Sequence, residues 1–262
     1  MGKFQGFLLC SDLDGTFWGQ GAEVENQKAV EYFIENGGRF SFATGRTGDF
    51  IRKKPFFPII NAPTCLFNGA IVYDFKQDKI LRERHLDYTV REFLDVVRDQ
   101  LCDIQKLVLY RDIHDDGTMY FDIDSLPDDV LDLNCLKLLC VFESHERTLD
   151  FKRYCRSHPY FKDTYLSRSW GHGLEFNPKD GTKGDALCFI KETLGDIKVS
   201  VGIGDYDNDE TLVQRADIGV AVENAVDEVK NVATWQVGHF SKCAVKELIE
   251  KLEVEIDKGT FK

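Results

Sequence analysis

The 262-residue sequence is short of positive charge, with 33 Lys and Arg against 45 Asp and Glu and a formal net charge of −12. This deficit argues against DNA, RNA or an anionic membrane as the main partner, because each presents a dense negative surface. No apolar run approaches the length of a membrane-spanning helix. Low-complexity tracts and long flexible linkers are also absent, and 43% hydrophobic with 30% charged residues is typical of a globular protein.

Cysteine pairs with the CxxC spacing of a metal site are missing as well. Eight cysteines are present, but none forms a CxxC pair, and the six histidines show no metal-ligand spacing with them. A zinc site is therefore not expected. Cys10 and Cys140 lie inside apolar runs, where a small buried thiol is the simplest interpretation. Since no signal peptide precedes the first predicted strand at residue 7, we expect a reduced, cytoplasmic location.

Short apolar runs recur along the chain, and each ends in a polar turn that contains glycine or asparagine. The runs cover residues 7–10, 40–43, 65–67, 199–203 and 218–222. Such unbroken runs are typical of strands buried on both faces of a parallel sheet. Helical patterns lie between them, at 29–34, 186–194 and 244–252. The alternation predicts an α/β fold with a doubly wound, Rossmann-like parallel sheet.

Residues 83–177 have a different pattern. Thr89 and Glu92 form a capping box that opens a helix, and a second helix is predicted at 145–156. Strand-like segments lie at 106–111, 118–123, 136–143, 160–167 and 173–177. We therefore predict a parallel-sheet core of residues 1–82 and 178–262, with an inserted α+β cap of residues 83–177.

Two carboxylates, Asp12 and Asp14, follow the first predicted strand directly. A carboxylate can attack phosphorus and form an aspartyl-phosphate, but it needs a cation because carboxylate and phosphate repel each other. Mg²⁺ fits a site made of a few carboxylates, waters and a phosphate oxygen. Asp205 and Asp209, after another predicted strand, would complete that ligand set. Either motif alone is weak, since polar residues commonly end strands.

Two further residues make the pattern specific. Thr44 follows its own predicted strand and could donate a hydrogen bond to a phosphoryl group. Lys183 opens a predicted helix and could neutralise charge that builds up during phosphoryl transfer. Ligands of parallel sheets bind beyond the carboxyl ends of the strands, where all these residues are predicted to lie. We therefore expect one phosphoryl-transfer site.

The sequence resembles the haloacid dehalogenase-like phosphohydrolase superfamily at DLDGT (12–16), ATGR (43–46), NGA (68–70), Lys183-Gly184 and GDYDND (204–209). The match is closest to the Cof-type, sugar-phosphatase-like branch, whose members carry a large α/β cap. It covers nearly the whole chain. The resemblance implies a Mg²⁺-dependent phosphatase that acts on small phosphate monoesters, such as sugar phosphates and related metabolites, through an aspartyl-phosphate.

The resemblance also implies roles for the matching residues. Asp12 would be the nucleophile and Asp14 the general acid and base, while Thr44 and Lys183 hold the phosphoryl group. The implied metal ligands are Asp12, Asp14 (through its backbone carbonyl) and Asp205, with Asp209 in support. The implied substrate-binding residues are Thr44, Gly45, Arg46, Asn68, Lys183 and Asn208.

Four more residues draw attention in the light of this resemblance. Trp170, His172 and Glu175 lie where the cap should return to the core and could face the substrate, although a packed tryptophan and a structural carboxylate are equally compatible. Asp207 stands where many relatives carry a small or uncharged residue. We expect it to add negative charge near the metal.

Two other functions remain open from the sequence. A phosphomutase would share the aspartyl-phosphate but return the phosphate to a second hydroxyl. A non-catalytic phosphate- or Mg²⁺-binding regulator should have lost Asp12, Asp14 or Lys183, and all three are present. For the phosphatase we expect a small phosphorylated metabolite as partner, no nucleic acid or membrane, and a monomer or small homo-oligomer.

Overall fold

The structure is a computed structural model in which residues 2–261 are described. Its strands are β1 (Phe7–Ser11), β2 (Arg39–Phe42), β3 (Thr64–Leu66), β4 (Ile71–Asp74), β5 (Lys79–Glu83), β6 (Lys106–Tyr110), β7 (Thr118–Tyr120), β8 (Lys137–Val141), β9 (Thr164–Ser167), β10 (Gly173–Pro178), β11 (Val199–Gly204), β12 (Ile218–Val222) and β13 (Trp235–Val237). Its helices are α1 (Glu23–Glu35), α2 (Gly48–Arg52), α3 (Val90–Val97), α4 (Asp128–Leu131), α5 (His145–Ser157), α6 (Lys183–Leu194), α7 (Glu210–Arg215), α8 (Asp227–Val232) and α9 (Ala244–Asp257).

A five-stranded parallel sheet of order β13-β12-β11-β1-β2 forms the centre of the molecule. Successive side chains of β1 alternate between its faces. Phe7 and Leu9 join a hydrophobic cluster with α1 and α9, whereas Leu8 and Cys10 join a second cluster with α6. Both faces are thus covered by helices, which is why these strands read as unbroken apolar runs. The predicted doubly wound α/β fold is confirmed.

The strand predicted at 65–67 is present as the buried β3, but it belongs to a separate sheet and pairs with the parallel sheet only through one parallel bridge. β3 pairs antiparallel with β4, and β4 with β5, so these strands form a separate three-stranded sheet. A single bridge between Ala43 and Cys65 links it to the parallel sheet. Neither β4 nor β5 is among the predicted strands. β5 is partly exposed along its length and carries no unbroken apolar run.

A third sheet, antiparallel and of order β7-β6-β8-β10-β9, lies within the inserted segment. One face packs against α3 and α5, whose starts carry the predicted capping box at Thr89 and a cap from Ser144. The predicted strand at 160–167 is shorter, since Pro159–Phe161 form a helical turn before β9. We call α3 to β10 the inserted unit.

The other face of this sheet carries alternate residues of β8, among them Lys137 and Leu139. β5 ends at Glu83 and β10 at Pro178, so each runs one residue past a predicted boundary. The division of the chain at 82/83 and 177/178 stays a prediction. Within residues 2–261, no helix is both long and apolar enough to cross a membrane.

Candidate active site

Three carboxylates come together where β1 and β11 end. Asp12 follows β1 and is 6% exposed, Asp205 follows β11, and Asp209 closes the helical turn Asp207–Asp209. One oxygen from each lies within 4.8 Å of the others. Because β1 and β11 are adjacent and parallel, their carboxyl ends bring the two aspartate motifs to one edge of the sheet.

The loops that carry these carboxylates need a glycine and a supporting side chain. Gly15 has a φ of +81°, and a Cβ there would lie 2.6 Å from Asp205 Oδ2. Asp209 Oδ2 accepts hydrogen bonds from the backbone amides of Asp205 and Tyr206 at 3.0 and 3.1 Å. The loop after β11 is therefore built around the Asp209 carboxylate.

Lys183 enters this cluster from the first position of α6. A capping box between Thr182 and Asp185 fixes the start of the helix. The Lys183 Nζ donates to Asp12 Oδ1 at 2.6 Å and to Asp209 Oδ1 at 2.5 Å. Its side chain is completely buried, so the ammonium and its two carboxylates form an ion cluster away from bulk solvent.

The crowded charges shift one another's protonation. Burial, followed by the charge of Asp209, raises the pKa of Asp12 above its ordinary value. Burial and the charges of Asp12 and Asp209 likewise raise the pKa of Asp205. Burial alone would lower the pKa of Lys183, but the neighbouring carboxylates outweigh it and raise that pKa. A further cation beside Asp12 and Asp205 would relieve the repulsion between them.

The donor set fits a divalent cation such as Mg²⁺, which prefers carboxylate and other hard oxygen ligands. Both oxygens of Asp209 are engaged, one by Lys183 and the other by backbone amides. Asp12 and Asp205 are thus the carboxylates best placed to hold a metal directly. Asp209 supports them by holding Lys183 and the loop, which is the arrangement expected of an outer partner of a metal site.

The turn after β2 contributes Thr44, Gly45 and Arg46. Thr44 is 1% exposed, and its Oγ1 accepts a hydrogen bond from the Arg46 amide at 3.2 Å. The Arg46 guanidinium donates two hydrogen bonds of 2.9 Å to the Asp14 carboxylate and lies 4.6 Å from the centre of the Phe50 ring. Arg46 therefore fixes the direction of the Asp14 side chain.

Asn68 and Asn208 form a pair of amides behind this turn. Asn208 Nδ2 donates to Asn68 Oδ1 at 3.0 Å, and Asn68 Nδ2 donates to Glu175 and Asn177 at 3.0 and 3.1 Å. Asn68 adopts a left-handed backbone conformation, with φ 61° and ψ 11°, and is fully buried. Its amide is engaged by these protein groups, and its contact with a substrate stays a prediction.

A cavity of about 450 Å³ lies between these loops and the inserted unit. It is lined by Asp12, Asp14, Thr44, Gly45, Arg46, Tyr110, Lys137, Leu139, Ser169, Trp170, Glu175, Asp205, Tyr206 and Asn208. Among the predicted site residues, Asn68, Lys183 and Asp209 lie behind this lining. His172 stacks on Trp170, with ring centres 6.0 Å apart. The predicted residues thus gather around one cavity.

The family of the chain follows from comparison with known proteins. A model of the haloacid dehalogenase-like hydrolase family matches residues 9–249. The chain belongs to the haloacid dehalogenase-like hydrolases. The match spans the parallel sheet and the inserted unit together. The predicted family and the predicted enzyme class, a phosphatase-type hydrolase, are confirmed.

Individual relatives of this hydrolase are distant but cover nearly its full length. A phosphoglycolate phosphatase from Methanopyrus kandleri is 26% identical over 95% of this chain and 98% of its own. A subclass IIB sugar phosphatase is 16% identical with a TM-score of 0.75, over 94% of this chain and 99% of its own. A COF-like hydrolase from Plasmodium vivax is 19% identical with a TM-score of 0.75, over 96% of both chains. The two structures match the fold, including the inserted unit.

No local sequence pattern indicates the ion pair between Lys137 and Glu175 in the hydrolase cavity. Lys137 Nζ lies 2.9 Å from Glu175 Oε1 and also donates to the Gly45 carbonyl at 3.3 Å. Both side chains are at most 4% exposed. A lysine that begins an apolar strand looks like a solvated end residue until its partner is known. Register supplies that partner, because β8 pairs with β10 and places Glu175 opposite Leu139, on the face that also carries Lys137.

Replacing Glu175 with Gln should lower the free energy of unfolding by about 3 kcal/mol at neutral pH, because Lys137 would remain as a buried cation without a counter-ion. Burial alone would raise the pKa of Glu175, but Lys137 and hydrogen bonds from Ser169 and Asn68 outweigh burial and lower it. A lowered carboxylate pKa stabilises the fold above the unfolded value of about 4.3, and the contribution is lost as pH falls below it.

Urea unfolding of the wild type and of Glu175→Gln, measured at neutral pH and at about pH 3, checks this prediction. The difference in unfolding free energy should shrink in acid, because Glu175 of the unfolded wild type then takes up a proton and the stability that its lowered pKa provides is progressively lost. An equal difference at both pH values would show that the carboxylate charge does not stabilise the cavity.

Proposed function

We propose that this haloacid dehalogenase-like hydrolase is a Mg²⁺-dependent phosphatase of small phosphate monoesters that works through an aspartyl-phosphate on Asp12. One observation carries the proposal. The Asp12 carboxylate lies in the wall of a cavity and is held from behind by the buried Lys183, beside a second carboxylate suited to a metal. This combination joins a nucleophile to the cations that a phosphate dianion requires.

In the first proposed step, an oxygen of Asp12 attacks phosphorus and the bond between phosphorus and the ester oxygen breaks. The leaving alkoxide takes a proton from Asp14, so the products are the free alcohol and the aspartyl-phosphate. In the second step, water gives a proton to Asp14 and attacks phosphorus, the bond between phosphorus and the Asp12 oxygen breaks, and inorganic phosphate leaves with the Asp12 carboxylate restored. Asp14 suits both tasks because its carboxylate lines the cavity and is turned by Arg46, with 42% of its side chain exposed.

The phosphoryl group would lie among Asp12, Thr44 and Lys183. The Thr44 hydroxyl lines the cavity and can donate to a phosphoryl oxygen, while Lys183 fixes Asp12 and offsets its charge. Asp12, Asp205 and the Asp14 carbonyl would hold Mg²⁺. When bound, the ion supplies positive charge that lets a dianionic ester approach two carboxylates.

The inserted unit would act as a cap that encloses the leaving group. Its contribution to the cavity wall includes the rings of Tyr110 and Trp170, the Ser169 hydroxyl and the Lys137–Glu175 pair. Aromatic faces beside hydrogen-bonding groups suit a compact polyhydroxylated leaving group, with apolar faces and hydroxyl edges. The sugar phosphatase and the phosphoglycolate phosphatase among its relatives support small phosphorylated metabolites as the substrate class.

We also propose a reducing, cytoplasmic setting for the enzyme. All eight cysteines are free, and five of them, including Cys10 and Cys140, are buried. Burial raises the pKa of the Cys10 thiol, so it would remain protonated and unreactive. The surplus of acidic residues supports a small metabolite rather than nucleic acid as partner.

A panel of phosphorylated metabolites tests the proposed activity. Purified protein with Mg²⁺ should release inorganic phosphate from an aryl phosphate and, with higher kcat/KM, from some sugar or polyol phosphates. Chelation with EDTA should abolish release, and Mg²⁺ should restore it. Positional isomers of a hexose phosphate without free phosphate would instead identify a phosphomutase. No reaction with any ester in the presence of Mg²⁺ would refute the proposal.

A further inference from the structure

Asp207 lies in the loop after β11, which also carries Asp205 and Asp209. Its carboxylate contacts two cations rather than the carboxylate cluster. Asp207 is the first residue of the helical turn Asp207–Asp209 and is 6% exposed. Its Oδ2 accepts hydrogen bonds from Lys152 Nζ at 2.5 Å and from Arg168 Nε at 2.7 Å, and its Oδ1 accepts from Arg168 Nη2 at 2.8 Å. The expectation that Asp207 adds negative charge at the metal is therefore wrong.

The two cations come from separate elements of the inserted unit. Lys152 belongs to α5, and Arg168 follows β9. Their side chains are 10% and 7% exposed. Two buried cations side by side repel each other and lose hydration, so they require a shared anion. Asp207 is that anion, and it belongs to the loop after β11, outside the inserted unit.

We call the contacts of Asp207 with Lys152 and Arg168 the joint. Neighbouring hydrogen bonds connect this joint to the cavity. The Asn208 amide donates to the Arg168 carbonyl at 3.2 Å, and Asn208 Nδ2 donates to Ser169 Oγ at 3.0 Å. The Tyr165 hydroxyl donates to the Asp207 carbonyl at 3.1 Å. Asn208 and Ser169 both line the cavity, whereas Asp207 is behind it. Asp207 can therefore affect the cavity only through its neighbours.

We propose that Asp207 is a positioning residue that fastens the inserted unit over the active site through Lys152 and Arg168. The joint holds Ser169 and Trp170, which follow Arg168 directly, in the cavity wall beside Asn208. Its kinetic consequence rests on the proposed phosphatase function, but the fastening itself does not. When the joint is released, the unit moves away from the loop after β11 and the leaving group loses its wall.

An aspartate at position 207 can bind two cations at once, because its carboxylate offers two charged oxygens. A bidentate guanidinium contact fixes direction, and the additional ammonium binds the same carboxylate from α5. An asparagine there would keep the shape but offer one neutral acceptor to two cations. Asp207→Asn is thus the smallest change that removes the charge from the joint.

Hydrogen exchange of the full-length protein, followed by mass spectrometry, tests the fastening without any substrate. In Asp207→Asn, peptides covering 145–170 and 205–209 should exchange at least ~10-fold faster, while peptides of β1 and β6 keep their wild-type rates. Faster exchange throughout the chain would identify Asp207 as a residue of general stability and overturn the proposal. Unchanged exchange at 145–170 would overturn it as well.

Two further variants sharpen the result. Adding Lys152→Met to Asp207→Asn should slow exchange again, because one of the two cations left without an anion is removed; a further acceleration would contradict the shared-anion arrangement. Asp217→Asn is the matched control, since its partners Lys191 and Ser200 both belong to the parallel-sheet core. It should leave exchange at 145–170 unchanged.

Steady-state kinetics of Asp207→Asn test whether the joint affects catalysis. With a phosphate ester that the wild type hydrolyses, Asp207→Asn should lower kcat/KM at least ~10-fold, mostly through a higher KM for esters whose leaving group fills the cavity. A minimal ester such as methyl phosphate should be affected less. Equal losses for both esters would contradict a role in holding the cavity wall. If the wild type hydrolyses no ester, the proposed function fails, and the exchange experiment still decides the fastening.

Discussion

Replacing Asp12 with Asn should abolish phosphate release, with a fall in kcat of at least ~10⁴-fold, the scale seen when a covalent nucleophile is removed. The amide cannot form the acyl-phosphate, and the change also removes one of two carboxylates best placed to hold Mg²⁺. Phosphate release from an aryl phosphate at saturating substrate and Mg²⁺ measures the effect.

The same substitution should not damage the fold. The raised pKa of Asp12 means that its ionised form is destabilised in the metal-free protein at neutral pH. A neutral amide of the same shape removes that cost, so metal-free Asp12→Asn should unfold at the wild-type temperature or above it. Asp217→Asn serves as the control and should keep activity within ~2-fold, as surface changes usually do. If Asp12→Asn retained about a tenth of wild-type kcat, Asp12 would not be the nucleophile.

Replacing Lys183 with Ala should lower kcat at least ~10²-fold, the effect of removing an electrostatic partner of the transition state. The ammonium is fully buried and donates to both Asp12 and Asp209. Its loss removes the charge that balances the nucleophile and the phosphoryl group. The substitution also removes the hydrogen bond from Lys183 to Asp209, which connects α6 to the loop after β11.

Stability should respond to Lys183→Ala in a metal-dependent way. Unpaired buried carboxylates should cost about 3–5 kcal/mol in the metal-free protein, and Mg²⁺ should restore part of that loss by acting as a counter-ion. Thermal unfolding with and without Mg²⁺ measures this. Lys183→Met should match Lys183→Ala in kcat, because the charge rather than the chain length matters. Lys191→Ala, on the same helix but half-buried and outside the carboxylate cluster, should have wild-type activity. A loss below ~10-fold for Lys183→Ala would mean that another group balances Asp12.

Local patterns in the sequence predict much of this fold because they report on burial. Four of the five apolar runs form strands of the parallel sheet, and the polar turns after β1, β2 and β11 meet at one edge of it. The capping box at Thr89 marks a helix start within a few residues of chain. Such signals need no knowledge of distant partners. The run at 65–67 shows that β3 is buried but not which strand it pairs with, and its main partner is the antiparallel β4.

The sequence by itself determined four strands of the parallel sheet, several helix starts and the motif residues that gather around one cavity, since the spacing of apolar and polar residues encodes all three. Only the tertiary structure decided which charges meet. Asp14 pairs with Arg46, Glu175 with Lys137, and Asp207 with Lys152 and Arg168. These partners are 32 to 55 residues apart. Their pairing depends on strand register and on how the inserted unit packs over the loops, which no short pattern contains.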